Sequence, residues 1–549
     1  MHHPHLAVAA LAAALAVSAC GDDTAPSDSA DDVGTTDVIA DAGDSGASDA
    51  TGTDGGDDAG ATDTASDADD TTDDTDPGDV ALDATDAGDA LDGGDSGADA
   101  DAGPPRCEVP TPGLSDAPEA VALAADPARC GQAAYTWLDD PSLGDVIAVN
   151  DTFTWPAILL NSAAGELNLT THRPFTRDVV MHQLSYVTQD RGALTDATAL
   201  VAVPADATLD DEPLPMVLVL HGTSGYNDTC AVSNTIEWQI LTALFASWGY
   251  VAVSPDFIGM RAFGESSTDL HPYLMGEPTA MASLDAARAA MKHIGAGALG
   301  DTCAAPRVVS WGGSQGGHAA LVVDRYAPWY APELAYVGTA AVIPPADVVG
   351  QTTRSMREAY PGTVSTLAIF AAASQWYEQP DTLDDILAPG VADTLLTALG
   401  SPCGGDLPVD PSDFETLEDV FTPEALQIVA EGSTADLPFF GCVAEESGLT
   451  TTSVPRATDR PAEHGILFVQ AGEDELVDVP TERTAFATLC TDGDPITYLE
   501  CADALHTQGA FWSLPETGRF IDARMAGEVF VGAEVCEAPA AVVCEGTVE

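Results

Sequence analysis

Val308-Val309-Ser310-Trp311-Gly312-Gly313-Ser314-Gln315-Gly316-Gly317-His318-Ala319-Ala320 decides the reading of this chain. It opens as a short apolar run, the pattern of a buried strand. It then turns through Gly-x-Ser-x-Gly and continues as an Ala/Leu/Val helix. A serine placed this way between strand and helix is a nucleophile elbow. Gly312 and Gly316 let the two elements pass without a Cβ clash. The hydroxyl of Ser314 is held out at the carboxyl edge of the sheet, with a helix N-terminus behind it. The plainer alternative is a tight turn in which Ser314 only caps the helix.

The flanking sequence repeats the alternation of strand and helix. Upstream, Val179 to Gln189 alternates as a strand, and Ala197 to Val203 is its expected hairpin partner across Asp190-Arg191-Gly192. Pro215 to Leu220 is an apolar central strand ending in His221-Gly222-Thr223. Ile236 to Trp248 has helical spacing, Gly249 to Pro255 is a strand, and Pro278 to Ile294 is a long helix. Downstream, Ala335 to Ile343 and Gly465 to Gln470 read as strands, Thr481 to Cys490 as a helix and Pro495 to Glu500 as the last strand. Such an order predicts an α/β fold with a mostly parallel sheet flanked by helices. Between about 349 and 460 the alternation stops. Helical stretches at Thr363–Tyr377, Leu383–Leu399 and Glu418–Glu431 predict a cap or lid insertion there. Residues 107–178 are expected to be irregular.

A serine hydroxyl needs a base within hydrogen-bond reach and a carboxylate to fix that base. On this kind of sheet they follow the serine in the order acid, then histidine. After Ser314 the histidines are His318, His464 and His506. His318 is one turn along the same helix, and His464 precedes a strand, at the wrong edge. His506 follows the last strand and is the expected base. The acid belongs in the loop after Gln470, where Asp474 is favoured over Glu473, Glu475 and Asp478. Asp503 reads as a turn or helix cap. Backbone N–H groups of Thr223 and Gln315 are the expected oxyanion hole.

Several segments resemble secretory lipases related to yeast lipase A. They are His221-Gly222-Thr223-x-Gly225 with Asp228-x-Cys230-Ala231-x-Ser233, then Gly249-Tyr250 with Pro255-Asp256-Phe257-Ile258-Gly259. His271-Pro272-Tyr273-Leu274, Leu284 to Ala290 and Ser314-Gln315-Gly316-Gly317-His318 complete the set. The resemblance spans roughly residues 180–520. It implies a capped α/β-hydrolase that cleaves carboxylic esters through an acyl-enzyme, using Ser314, Asp474 and His506, with no metal or organic cofactor. The family has an aromatic residue where Gly313 stands and glycine where Met260 stands, so the resemblance carries no acyl-chain preference. A peptidase on the same fold is the first rival, but residues 107–180 hold no blade-like repeat. A surface lipoprotein with the fold and no turnover is the second.

The rest of the chain sets location. Leu6 to Val17 is an apolar segment ending in Val17-Ser18-Ala19-Cys20, which resembles a bacterial lipobox, although His2, His3 and His5 stand where Lys or Arg is usual. Residues 1–19 are thus expected to be a signal peptide and Cys20 the lipidated N-terminus. Residues 20–106 form an Asp/Ala/Gly-rich stretch with 27 aspartates, no glutamate and one basic residue, Arg106. It cannot bury enough apolar surface to offset ordering entropy and reads as a disordered tether; a partner-binding tail is the sharper alternative. Residues 107–549 are the expected hydrolase domain. The formal charge of −72, with a single lysine at 292, excludes nucleic acid as a partner. The expected location is the bacterial cell envelope, lipid-anchored at the outer membrane or cell surface, or otherwise secretion.

Of eleven cysteines, ten remain after Cys20, which suggests disulfides in an exported chain. No Cys-x-x-Cys or nearby histidine indicates zinc. Proximity suggests Cys107–Cys130, Cys403–Cys442, Cys490–Cys501, Cys536–Cys544 and Cys230–Cys303.

Overall fold

The computed structural model describes residues 106–115, 129–151, 154–267, 269–403 and 416–548. The expected signal peptide, Cys20 and nearly all of the acidic stretch lie outside these residues.

Among the described residues nine strands form one sheet, in the order β1-β2-β3-β5-β4-β6-β7-β8-β9. They are β1 Val146–Asp151, β2 Val179–Asp190, β3 Ala193–Pro204, β4 Leu214–Leu220, β5 Val251–Pro255, β6 Ala304–Gly313, β7 Ala335–Val342, β8 Gly465–Ala471 and β9 Ile496–Cys501. The first three strands pair antiparallel, as do β3 and β5; from β5 to β9 every pairing is parallel. The β2–β3 hairpin closes through Arg191 and Gly192, both at positive φ, the conformation a two-residue turn needs to follow the strand twist. Along β4, Met216, Leu218 and Leu220 face one core layer, while Val217 and Val219 face the other. Burial on both faces explains why this strand reads as a continuous apolar run. Each such side chain contributes about 1.5–3 kcal/mol by leaving water.

Thirteen α-helices occur among the described residues: α1 Ala157–Glu166, α2 Ile236–Ser247, α3 Gly276–Gly295, α4 Gln315–Tyr330, α5 Val348–Arg357, α6 Thr363–Trp376, α7 Leu383–Ile386, α8 Val391–Leu399, α9 Pro423–Glu431, α10 Phe440–Ser447, α11 Val479–Thr491, α12 His506–Trp512 and α13 Leu514–Met525. Helices α3, α4 and α11 pack on one face of the sheet, and α1, α2 and α13 on the other. Helices α5 to α10 lie between β7 and β8 in sequence. They build a third apolar cluster around Leu367, Phe370, Phe421 and Phe440, which Tyr226, Tyr273, Leu274 and Met275 join.

Four expectations are corrected. Residues 107–178 are not wholly irregular: Val146–Asp151 adds an edge strand to β2, and Ala157–Glu166 is a helix. The run 383–399 is two helices, because Pro389 and Gly390, the latter at φ 86°, break it. The run 418–431 breaks before Pro423, where the Thr422 hydroxyl caps α9. All five guessed disulfides are wrong. The bonds are Cys107–Cys303, Cys130–Cys442, Cys230–Cys403, Cys490–Cys536 and Cys501–Cys544. Neighbours in sequence are not neighbours in this fold. The tail returns along β9, where Val542 bridges Cys501, so Cys544 rather than Cys490 meets Cys501.

Candidate active site

Strand β4 has β5 on one side and β6 on the other, so the direction in which the sheet is built reverses between β4 and β6. A crevice opens beyond the carboxyl ends of strands at such a switch point. Both sequence signals lie there: Ser314 follows β6, and His221-Gly222-Thr223 follows β4.

Ser314 has φ 58° and ψ −120°, a strained backbone for a residue with a side chain. Its N–H donates to the Val342 carbonyl at 2.9 Å, and its carbonyl accepts from His318 N–H at 3.0 Å. Its side chain makes no capping hydrogen bond to α4, contrary to the plainer reading of the motif. The elbow is tight because of its glycines. A Cβ on Gly312 would stand 2.1 Å from the Gly316 carbonyl oxygen, and one on Gly316 would stand 2.0 Å from that of Leu220. The β4 loop lies against the serine: a Cβ on Gly222 would be 3.2 Å from the Gly313 oxygen and 3.7 Å from Ser314 Cβ. Gln315 begins α4, where the first N–H groups lack partners within the helix.

His506 begins α12, the helix that follows β9. Its Nδ1 lies 2.8 Å from each carboxylate oxygen of Asp474. The Asp474 side chain is fully buried and accepts from the N–H groups of Leu476 and Val477 at 3.0 and 2.8 Å. Those bonds turn the loop after β8 so that its carboxylate faces the imidazole. Helix α12 also approaches the elbow. A Cβ on Gly313 would be 3.8 Å from Ala510, and Gly509 leaves room for Ala471 and Ile343.

The competing residues have other partners. Glu475 accepts from the His506 backbone N–H at 2.9 Å. Asp478 caps α11 through Thr481. Asp503 takes the turn position expected of it, at φ 57°. His318 bonds the Ser447 carbonyl at 2.7 Å, and His464 pairs with Asp324 at 2.6 Å, away from the elbow.

Two residues went unassigned in the sequence: His271 and Tyr273. His271 Nε2 is 2.6 Å from the Gln315 side-chain nitrogen, and the Tyr273 hydroxyl is 2.8 Å from that of Thr223. The only sequence signal for them was their place in the His271-Pro272-Tyr273-Leu274 segment. Burial pushes His271 down to about 3 and His221 down to about 4, so both rings are neutral near pH 7.

The family model described as secretory lipase matches residues 226–533, just over half of the chain. Lipase A of Arthroderma benhamiae is 25% identical over 300 residues, which cover 53% of this chain and 56% of that protein. The match therefore spans little more than half the length of that relative. Among solved structures, the rice cell wall degrading esterase LipA from Xanthomonas oryzae superposes with a TM-score of 0.55 at 18% identity, covering 70% of this chain and 98% of that one. Candida antarctica lipase A in its closed state gives 0.52 at 18%, covering 73% and 86%. At these identities the two structures speak for the α/β-hydrolase fold.

Proposed function

Because the chain belongs to the secretory lipase family, we propose that it hydrolyses carboxylic esters through an acyl-enzyme on Ser314. The observation that carries this reading is the Asp474–His506 pair, whose helix passes beside the elbow at Gly313 and Ala510, together with a strained, uncapped serine. A carboxylate accepts only, so with Asp474 ionised His506 donates from Nδ1. Its Nε2 is then the basic nitrogen. That nitrogen takes the proton from Ser314 as Oγ attacks the ester carbonyl. The N–H groups of Thr223 and Gln315 receive the charge on the carbonyl oxygen. The imidazolium protonates the leaving alcohol, and water activated by the same nitrogen releases the acid. The helices between β7 and β8 act as a cap over this edge.

We further propose that residues 1–19 are a signal peptide, that Cys20 is lipidated, and that residues 20–106 tether the domain 107–549 to the cell envelope. Five disulfides fit an oxidising compartment outside the cytosol.

The test is hydrolysis of p-nitrophenyl esters from acetyl to palmitoyl by the full chain and by Ser314→Ala. Turnover that disappears in the variant supports the serine mechanism, and the chain-length profile sizes the acyl site. A folded wild-type protein inactive on every ester would sink the reading. In cell fractions, activity should sediment with membranes and become soluble in Cys20→Ala; equal partition of the two would remove the anchor.

A further inference from the structure

The segment His271–Leu274 touches both residues assigned to the oxyanion hole. His271 reaches Gln315 through its ring, and Tyr273 reaches Thr223 through its hydroxyl. Its own position is fixed from three sides. The His271 N–H donates to the Tyr226 carbonyl at 2.9 Å. A Cβ on Gly259 would lie 2.7 Å from His271 N, which leaves the segment no room to move toward that turn. Tyr226 and Tyr273 meet edge to face at 5.2 Å between centroids, and the His271 ring stacks on Phe257 at 5.7 Å. Two non-glycine residues have positive φ here, Phe257 under the His271 ring at 62° and Leu274 at the end of the segment at 58°. Strain held at two positions beside a site points to a geometry the surroundings enforce.

The polarity of the bonds gives each contact a direction. A carbonyl can only accept, so His271 Nδ1, 2.9 Å from the Ile258 oxygen, carries the proton. Its Nε2 is therefore an acceptor and takes a hydrogen from the Gln315 amide. Burial holds the ring neutral, so this polarity persists through the working pH range. The other end of that amide, Oε1, is buried with no partner among the described residues. His271 is thus the group that orients the Gln315 side chain. Tyr273 is also buried in one apolar cluster with Leu367 and Phe370 of α6, so it connects the β4 loop to the helical insert.

We propose that His271 and Tyr273 are positioning residues that hold the two oxyanion donors at a fixed separation. His271 acts through Gln315, and Tyr273 acts through Thr223 and ties that donor to the insert. The assignment rests on the esterase reading above. Deleting a donor outright costs roughly 10²–10³ in kcat, so loosening one should cost about tenfold.

The experiment measures p-nitrophenyl butyrate kinetics and inhibition by phenylboronic acid, which adds to a serine hydroxyl and puts a negative oxygen where the oxyanion forms. His271→Ala and Tyr273→Phe should each lower kcat about tenfold, leave KM within about twofold, and weaken the boronic acid by the same factor as kcat. His271→Gln, whose side-chain oxygen restores an acceptor near Nε2, should recover most of the loss. His271→Ala combined with Gln315→Ala should be no worse than the poorer single variant, because both break one link. Folded variants with wild-type kcat would overturn the proposal. So would a loss of kcat without weaker boronic acid binding, the mark of a merely structural role. Undiminished turnover by Ser314→Ala would instead remove the esterase reading beneath it, a distinct result.

Discussion

The elbow and the helical insert are held in place by opposite means. Around Ser314 the backbone of β6 and α4 presses directly on β4, with glycines where any side chain would collide. The insert between β7 and β8 packs around an apolar cluster into which Tyr226, Tyr273, Leu274 and Met275 of the rest of the chain also enter, and long-range links add to that contact. Cys130–Cys442 and Cys230–Cys403 span 312 and 173 residues. His318 adds a hydrogen bond to the end of α10. Geometry that catalysis requires to within fractions of an ångström is thus set by local sterics. The insert instead relies on shared apolar packing and two distant cross-links.

The sharpest way to break this contrast is a single methyl group on each side. Gly316→Ala places a Cβ 2.0 Å from the Leu220 oxygen, so β4 and α4 must separate. We expect a loss of about 4 kcal/mol or more and no measurable ester turnover. Gly390→Ala, in the insert, meets nothing within 4 Å. Its φ of 86° makes it cost only about 1–2 kcal/mol, with kcat unchanged. Thermal melts and kcat on one ester decide it. A stable, active Gly316→Ala protein would mean the elbow is not limited by backbone contact.

The same difference explains what the sequence could and could not convey. Strands β4 and β6, the turn at Ser314 and the loop with Asp474 announce themselves through contiguous residues, because the forces that shape them act between neighbours. The insert is legible only as helical periodicity, and two of its three expected helices are broken by Pro389-Gly390 and by Thr422-Pro423. Strand β1 lies in the stretch expected to be irregular although Val146-Ile147-Ala148-Val149 is an apolar run, because so short a run takes its strand form only from its pairing with β2. The disulfides were misassigned because separation along the chain carries almost no information about which loops meet in space. His271 and Tyr273 sit in a recognised segment, yet their partners Gln315 and Thr223 lie on other elements, so no spacing rule connects them.

A smaller effect should follow from cutting one clasp of the insert. Cys130→Ser with Cys442→Ser removes a cross-link between the N-terminal segment and α10. Such links commonly contribute about 2–5 kcal/mol by restricting the unfolded chain. A lower midpoint in guanidinium with kcat retained within about twofold is the expected outcome. If kcat collapses while the protein stays folded, the insert and the sheet edge form one mechanical unit, and the contrast drawn above fails.

The mildest test uses pH on the clasp that begins at the elbow itself. His318 is on α4, one turn after Ser314, and its ring bonds the Ser447 carbonyl at the end of α10. Burial pushes it down to about 4, below its ordinary value near 6.5. The folded protein therefore takes up this proton later than the unfolded chain as pH falls. Stability from the neutral ring is complete above about pH 6.5 and is lost as pH drops toward about 4, on the order of 3 kcal/mol at the bottom of that window. His221 and His271 act with the same sign. His318→Gln keeps a donor for Ser447 but cannot titrate, so its melting temperature should fall less steeply between pH 6.5 and 4 while the slope above pH 7 stays the same. Superimposable profiles would mean that the protonated ring, still donating to Ser447, is accommodated without cost, and that burial does not hold His318 neutral.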